Sequence, residues 1–244
     1  MKAAISFIRA FGYEVHHAPG EAEAELVKLE EAGYIDAIIS SDSDLFLFGT
    51  PLIFRSISKK DRRYVDEYAV YNPNTTPFPL TRGGAILFAL LCGGDYDNGI
   101  DGCGPATATA LARCGFGEQL FEAHQTFRGD KYKYERFLSK WGPTLRAELM
   151  TNSRQFLHRR EFDIAGEITF EFPDRRVHEL YMNPITSWSP GYTLPDPSRW
   201  VFKQPSIAVI TQLCVDHLRS EDLQKTFKSN LWVGIFLQML YSVS

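Results

Sequence analysis

Cysteine is scarce in this sequence, and its four cysteines stand far apart. The chain of 244 residues contains Cys92, Cys103, Cys114 and Cys214, and no two of them form a CxxC pair. Zinc knuckles need thiolates at short spacing, and small secreted scaffolds need several disulfides. The sequence therefore predicts neither a structural zinc site nor a disulfide framework, and it favours an intracellular compartment.

Long apolar runs are also missing. No stretch approaches the ~18 apolar residues that a membrane-spanning helix needs, and the apolar segment at residues 3–10 is too short for a persuasive signal peptide. With 44% hydrophobic and 23% charged residues, the composition is that of an ordinary globular protein with one large or two small domains. We expect no contact with a membrane.

An excess of positive charge, the usual mark of a nucleic-acid-binding protein, is absent, since the formal net charge is −4. The charge is unevenly distributed, however. Residues 1–51 carry nine acidic and three basic side chains, whereas residues 128–160 carry nine basic and three acidic ones. An acidic pocket beside a basic stripe suits an enzyme that cleaves a phosphodiester backbone. A charge run is more often a solvated helix face.

One pair of acidic residues stands at the start of a predicted helix. Glu21 and Glu23 follow a Pro-Gly pair and begin a run of strong helix formers that extends to Glu31. Gly33 is placed to end this helix at its carboxyl terminus. In the first turn of a helix, both glutamates can lean toward one point beyond the helix end.

A second acidic pair follows a predicted strand. Residues 35–39 (IDAII) are apolar and β-branched, which predicts a strand buried on both faces of a parallel sheet. Asp42 and Asp44 come directly after it, where open α/β sheets place their chemistry. Two residues apart in an extended chain, they share a face.

Carboxylate oxygens are the ligands that hard divalent cations prefer. Two acid pairs at one sheet edge could hold two Mg²⁺ ions roughly 3.5–4 Å apart, the spacing used for phosphodiester hydrolysis. The same residues have a simpler interpretation, because acids at a helix N-terminus are favoured by the helix dipole and an acidic loop can simply be solvated.

A glycine-rich stretch predicts a helix–hairpin–helix. Residues 85–92 form an apolar helix that Gly93-Gly94 ends, and Asp95 follows at once. Residues 99–105 (GIDGCGP) then form the hairpin before a second helix. Glycines let a backbone approach a phosphate closely, and the N–H groups of the next helix start bind the anion without reading base sequence. The alternative is a glycine-rich connection with no ligand. Asp95 is a further candidate metal ligand.

These motifs together resemble the XPG/flap-endonuclease superfamily of structure-specific nucleases. The resemblance rests on GEAEAE, SSDSD and GGDYDNGIDGCGPATA and covers roughly residues 10–125. The later segments FPD at residues 172–174 and YMNP at residues 181–184, together with ARCGFG at residues 112–117, resemble its Holliday-junction-resolvase (GEN-type) branch.

The resemblance implies an α/β fold. We expect a partial PIN-like lobe with a parallel sheet, formed by an internal (XPG-I-type) nuclease region at residues 1–79. A helix-two-turn-helix DNA-binding region is expected at residues 80–160, and a mostly helical extension at residues 161–244.

The resemblance also implies a Mg²⁺-dependent endonuclease that cuts branched DNA, a 5′ flap or a Holliday junction, in nuclear DNA repair and recombination. Two metal ions, Mg²⁺ or Mn²⁺ in vitro, would be held by five catalytic carboxylates: Glu21 and Glu23 nearer the attacking water, and Asp42, Asp44 and Asp95 at the second ion. The expected DNA-binding residues are Gly99, Gly102, Cys103, Gly104, Arg113, Lys131 and Lys133. Hairpin carbonyls could bind K⁺, and the protein could act as a homodimer on a four-way junction.

The chain departs from the superfamily at its start. Members begin with an N-terminal nuclease region that usually supplies two further aspartates, whereas residues 1–17 contain no Asp. We therefore also expect a fragment, a truncated gene product, or a catalytically incomplete paralogue that binds branched DNA without cutting it. A PIN-type RNase, which shares the acid-edged sheet but not the hairpin, is the third hypothesis.

Overall fold

The computed structural model describes residues 2–49, 53–57, 67–71, 80–201, 203–217 and 232. The chain divides into two compact units, one formed by Met1–Ala18 with Thr193–Ser244 and the other by Pro19–Tyr192. Helices dominate both units. Most of residues 218–244 lie outside the described part, so the expected helical extension can be followed only to His217.

The unit Pro19–Tyr192 carries all the residues for which we predict a chemical role. Its elements are α2 (Ala22–Glu31), β1 (Ile38–Ile39), α3 (Leu45–Phe48), β2 (Ile53–Ile57), β3 (Glu67–Tyr71), α4 (Arg82–Cys92), α5 (Pro105–Arg113), α6 (Phe116–Thr126), α7 (Lys131–Thr151), α8 (Phe162–Glu167) and α9 (Arg175–Met182). The other unit contains α1 (Lys2–Ala10), a 3₁₀ turn (Pro197–Arg199) and α10 (Ile207–His217).

Helix α4 is the centre of the main core. Nearly every residue from Gly83 to Leu91 is buried, and residues of α5 to α9 pack around it. The crossing with α6 is close because two glycines meet there: a Cβ built on Gly83 would lie 2.7 Å from the Gly117 carbonyl oxygen, and one on Gly117 would lie 2.4 Å from that of Gly83. Trp141 on α7 closes the core and donates its indole N–H to the Phe116 carbonyl at 3.1 Å.

The sheet is smaller than the sequence predicts. β1 pairs with β2 in parallel and β2 pairs with β3 antiparallel, in the order β1-β2-β3. The prediction of a strand over residues 35–39 buried on both faces is wrong: β1 spans two residues, Ile38 is 2% exposed and Ile39 is 69% exposed. Only one face of β1 packs against a core, which α2 and α3 supply. In the described residues, the expected parallel sheet amounts to this one short pairing.

Helix α2 has the start and the end that its sequence predicts. Glu21 is its N-cap and Gly33, at a φ of +70°, follows its last turn. The Tyr34 amide donates to the Leu29 carbonyl and the Gly33 amide to the Glu30 carbonyl, the pair of bonds that closes a helix with a left-handed residue. A hydrogen bond on the buried face also anchors the helix, because the Glu25 carboxylate accepts from the Ser187 amide at 2.8 Å.

Helix α7 is the longest of the described helices, with 21 residues, and contains Pro143. Among the described residues, no helix combines the length and the apolar character needed to cross a bilayer. In the smaller unit, α1 and α10 share a core of Ala10, Ile210 and Cys214. The Ser206 amide donates to the Ala10 carbonyl at 2.8 Å and fixes the start of α10 beside α1.

Candidate functional site

The loop after β1 is folded into a turn. Asp42 accepts the Asp44 amide on Oδ1 at 3.0 Å, and its own amide donates to Ser40 Oγ at 3.0 Å. Asp44 has helical backbone angles and is the N-cap of α3. The prediction that Asp42 and Asp44 share a face of an extended chain is therefore wrong, because Asp side chains in turns bond to the backbone two residues ahead. The turn, rather than strand geometry, brings the two side chains together.

Glu21 and Glu23 lie at the amino-terminal end of α2, as the sequence predicts. Glu21 is exposed and Glu23 is half-buried. The side chain of Glu21, the N-cap, forms no hydrogen bond with a helix amide. Its Oε1 instead accepts a hydrogen bond from the Tyr96 hydroxyl at 2.8 Å. This end of α2 is thus joined to the segment that follows α4.

Asp95 stands in a tight reversal after α4. The Gly94 amide donates to the Asp97 carbonyl at 2.8 Å, and Asp95 and Tyr96 form the turn between these two residues. Gly93, at a φ of +87°, leaves no room for a side chain, since a Cβ there would lie 2.5 Å from the Asn98 carbonyl oxygen. The glycines therefore fix where the exposed Asp95 projects.

The five carboxylates interact electrostatically. Burial, and then the negative charges of Asp42, Asp95, Glu23 and Glu21, raise the pKa of Asp44 to about 6. Acids from three separate segments thus lie close enough to Asp44 to oppose its ionisation. Glu21, Glu23, Asp42 and Asp95, which the sequence selects together with Asp44, thus all lie within electrostatic range of Asp44.

Two tyrosines that the sequence analysis missed border this cluster. The Tyr96 ring meets the Tyr181 ring edge-on, with 5.0 Å between ring centroids. Burial raises the pKa of both hydroxyls, and for Tyr96 the bond to Glu21 acts in the same direction. The charge of Asp44 further raises the pKa of Tyr181, to about 12. The sequence could have indicated a role for Tyr96, because this residue directly follows Asp95. Nothing in the sequence connects Tyr181 with the acidic residues.

The donor set fits a hard divalent cation. All five groups are carboxylates, and burial together with the charges of the other four raises the pKa of Asp44, so a bound cation would stabilise its ionised form. As the side chains stand, no three His, Cys, Asp or Glu residues in the described part of the chain are close enough to enclose a metal ion. Two oxygens of the cluster are already occupied, on Asp42 by the Asp44 amide and on Glu21 by the Tyr96 hydroxyl.

The predicted hairpin lies between α4 and α5, as expected. Gly99 and Gly102 have φ values of +75° and +74°, and Gly104 is the exposed N-cap of α5 with no atom near a built Cβ. Cys103 differs from its neighbours. Its side chain is buried, and its amide donates to the Ile100 carbonyl at 3.0 Å, so this N–H closes the turn and does not point at a ligand.

The predicted basic residues occupy exposed helix ends. Arg113 ends α5, and Lys131 and Lys133 lie in the first turn of α7. Lys133 pairs with Asp130 at 3.0 Å and Lys131 with Glu135 at 4.0 Å, all largely exposed to solvent. Ion pairs of this kind are weak, and both lysines can exchange a carboxylate for another anion.

Comparison with known proteins gives a consistent result for sequence and fold. Residues 12–95 match the family described as the XPG I-region. The chain is 28% identical over 231 residues to the DNA repair protein RAD2 of Saccharomyces cerevisiae, covering 91% of this chain and 20% of RAD2. It is 40% identical over 93 residues to flap endonuclease 1 of Haloquadratum walsbyi, covering 37% of this chain and 27% of that protein.

A solved structure is similar over most of the chain. The Holliday junction-resolving enzyme GEN1, in complex with product DNA and Mg²⁺, superposes with a TM-score of 0.65 at 30% identity, covering 88% of this chain and 51% of that one. The chain therefore spans about a fifth of the RAD2 sequence and half of the GEN1 chain. Residues 12–95 thus match the XPG I-region family, and most of the chain is similar in sequence or fold to nucleases of the XPG/flap-endonuclease superfamily.

Proposed function

We propose that this chain is part of a Mg²⁺-dependent endonuclease that cuts branched DNA, either a 5′ flap or a Holliday junction, in nuclear repair and recombination. The observation that carries the proposal is the convergence of five carboxylates from three segments around Asp44. The named relatives support the reaction class, since they include a flap endonuclease and a junction-resolving enzyme bound to product DNA and Mg²⁺. The similarity to GEN1 supports the junction-resolving branch.

In this proposal, the five carboxylates hold two Mg²⁺ ions, with Mn²⁺ as a substitute in vitro. Such ions lower the pKa of a bound water and stabilise negative charge on the scissile phosphate. The protein orients the ligands: Tyr96 fixes one oxygen of Glu21 and the Asp44 amide fixes one oxygen of Asp42. Below pH ~6 Asp44 holds a proton in the absence of cations, so a cation must displace that proton to bind.

We propose that the hairpin and the exposed basic residues hold the duplex. Gly102 and Gly104 present backbone to a phosphate, whereas Gly99 shapes the hairpin and donates its amide to Asp97 Oδ1 at 3.3 Å. Carbonyls of the same hairpin are the ligands for K⁺. Arg113, Lys131 and Lys133 add sequence-independent phosphate contacts. A homodimer would place two such sites on the two opposed strands of a four-way junction.

One observation favours a second function. The hairpin between α4 and α5 and the exposed Arg113, Lys131 and Lys133 are separate from the five acidic residues, which fits a chain that binds branched DNA without cutting it. Both functions predict binding to branched DNA, but only the first predicts Mg²⁺-dependent cleavage. A PIN-type RNase lacks the hairpin that the structure contains, and it would prefer single-stranded RNA.

The deciding experiment measures cleavage of labelled 5′ flaps and four-way junctions by this chain with Mg²⁺ or EDTA, alongside the variant Asp42→Ala/Asp44→Ala. We expect Mg²⁺-dependent cleavage by the parent and none by the variant, with equal DNA binding by both. Structure-selective binding without any cleavage would overturn the catalytic proposal and leave the binding function. Preferential cleavage of single-stranded RNA would overturn both.

A further inference from the structure

A small cavity lies on the larger unit between the start of α4 and the ends of α6 and α9. It has a volume of about 250 Å³ and is lined by Arg82, Phe121, His124, Gln125, Arg128, Met182 and Asn183. None of the five carboxylates discussed above contributes to its wall. The polar part of the lining is two guanidinium groups, one imidazole and two amides, which are all groups that can donate hydrogen bonds.

Arg82 is held in place before any ligand arrives. Its Nε donates to the Leu47 carbonyl at 2.9 Å, and its guanidinium carbon lies 5.4 Å from the centroid of the Phe121 ring. On the other side, Gly49 allows the close approach, because a Cβ there would lie 3.2 Å from Arg82 Cδ. With Nε occupied, the two terminal nitrogens remain for a partner. A planar guanidinium fixed in this way is suited to the oxygens of a phosphate group.

Neither arginine of the cavity forms an ion pair with another described residue. Burial lowers the pKa of Arg82, and the more distant Glu31 offsets this only in part. Since an arginine stays protonated in proteins, Arg82 carries a half-buried charge, and no described carboxylate forms an ion pair with it.

One carboxylate lies close to the cavity and is occupied. Glu179 accepts from His124 at 2.6 Å and from Asn183 at 2.7 Å. Both donors line the cavity, so Glu179 orients them and takes up their hydrogen-bonding capacity. Glu31, the other acid near Arg82, is paired with Lys28 at 2.6 Å. A ligand therefore meets the positive charges of Arg82 and Arg128, opposed by the single negative charge of Glu179, whose oxygens are engaged by His124 and Asn183.

We propose that this cavity binds a phosphate group, with Arg82 as the fixed ligand and the exposed Arg128 as the mobile one. The chemical class is a phosphate monoester or diester, supplied by inorganic phosphate, by the terminal phosphate of a nucleic acid strand or by its backbone. The cavity is a site apart from the carboxylate cluster, and it reaches that cluster through α3, whose Leu47 carbonyl holds Arg82 and whose N-cap is Asp44. The proposal does not depend on cleavage activity.

Thermal unfolding tests the proposal on the whole chain without metal or DNA. Inorganic phosphate, added to about ten times its dissociation constant, is expected to raise the Tm by roughly 3–5 °C over NaCl of equal ionic strength. The variant Arg128→Gln should keep the parent's Tm in NaCl, because Arg128 is exposed, and should lose the phosphate-dependent rise. Arg82→Gln should lose it as well, at a lower starting Tm.

Arg136→Gln is the matched control, since it removes the same charge from an exposed site outside the cavity. It should keep the full rise. If phosphate gives no rise in the parent, or the same rise in all variants, the site does not exist. If the control loses the rise as Arg128→Gln does, phosphate acts through overall charge and the proposal fails.

Short oligonucleotides identify the source of the phosphate. A 5′-phosphorylated thymidine tetranucleotide and its unphosphorylated counterpart are compared with inorganic phosphate at equal ionic strength. A stronger effect of the phosphorylated strand alone assigns the cavity to a terminal phosphate, and equal effects of both strands assign it to the backbone. An effect of inorganic phosphate alone assigns it to the free anion. Each of these effects must disappear in Arg128→Gln.

Discussion

At the scale of single residues, one hydroxyl sets the orientation of Glu21. The Tyr96 hydroxyl donates to Glu21 Oε1, and the Tyr181 ring holds the Tyr96 ring edge-on. A carboxylate that is already oriented loses less conformational freedom when it binds a cation. Tyr96 therefore acts on the proposed metal site through Glu21, without being a ligand.

Tyr96→Phe should weaken metal binding more than DNA binding. Loss of one hydrogen bond is worth about 0.5–1.5 kcal/mol, so we expect roughly a 3- to 10-fold higher Mg²⁺ concentration for half-maximal cleavage. Calorimetry with Mn²⁺ should show the same ratio in the absence of DNA. Tyr132→Phe, at a side chain 74% exposed, is the control that should change neither value. Equal Mg²⁺ requirements in parent and Tyr96→Phe would contradict the positioning role.

His178 should make the stability depend on pH. It is 1% exposed, its Nδ1 lies 2.7 Å from the Tyr134 hydroxyl, and its Nε2 has no partner in the described part of the chain. Burial, and then His124, lower its pKa from 6.5 to about 3. Between these values only the unfolded state takes up the proton, so stability falls as the pH falls below 6.5.

We expect the free energy of unfolding to drop by roughly 1.5 kcal/mol between pH 6.5 and pH 5 from this residue. Urea unfolding at a series of pH values measures it. His178→Phe should flatten the dependence in this window, although its stability at pH 7.5 will be lower. His158→Gln, at an exposed position, should leave the dependence as it is in the parent. An unchanged pH dependence in His178→Phe would show that other groups cause it.

At the scale of helices and strands, the crossing of α4 and α6 depends on the absence of two side chains. Gly83 and Gly117 bring the two backbones into contact, and each built Cβ would lie less than 3.0 Å from a backbone atom of the other helix. Because backbone atoms cannot move aside as flexible side chains do, a methyl group must push the helices apart. Since helix α4 lies at the centre of the main core, its displacement would also disturb the packing of the helices around it.

Gly83→Ala should destabilise the protein by about 1–3 kcal/mol through this overpacking, a fall in Tm of roughly 2–10 °C. Gly166→Ala is the matched change in α8, where nothing lies within 4 Å of a built Cβ. There, alanine should stabilise by up to about 1 kcal/mol, because it restricts the unfolded chain and favours the helix. Thermal unfolding of both variants measures the difference, and equal effects would argue against a tight crossing.

Elements with local signals could be predicted from the sequence. The ends of α2 and α4 follow from Gly33 and Gly93, since each adopts a positive φ that residues with a side chain rarely adopt. The length of β1 could not be predicted, because the exposure of Ile39 depends on what packs there. The hydrogen bond from the Asp44 amide to Asp42 could not be predicted either, because it depends on the backbone angles of the turn. The bond between Tyr96 and Glu21 joins residues 75 positions apart, which no local pattern indicates.

At the scale of the whole molecule, the net charge of −4 opposes DNA binding, so affinity must come from local basic surface. Fewer basic side chains of residues 128–160 are available to bind DNA than the composition of this stretch indicates. Arg154 is tied to the Cys114 carbonyl and lies over the Phe116 ring, and Arg159 pairs with Glu161 at 3.1 Å. Part of the stretch therefore stabilises the fold, and the exposed remainder is available to phosphates.

Arg113→Gln should weaken binding to branched and to linear duplex DNA by the same factor. If Arg113 contacts one phosphate, the slope of log K against log salt concentration should become about one unit less steep. Fluorescence anisotropy between 50 and 300 mM NaCl measures the slope. Arg176→Gln, an exposed arginine that pairs with Asp174, should retain the parent slope. A loss confined to one DNA structure would mean that Arg113 recognises the branch point.

The hydrogen bond between Glu25 and Ser187 bears on when helix α2 can reach its final packing during synthesis of the chain. Glu25 lies on the helix that presents Glu21 and Glu23, is 1% exposed, and accepts an amide 162 residues further along the chain. At about 5–20 residues per second, that amide is made some 10–30 s after the glutamate. Until then the carboxylate lacks the Ser187 amide, which is one of its partners, and its burial costs more free energy. The acidic end of α2 should therefore be among the last parts of this unit to take its final form.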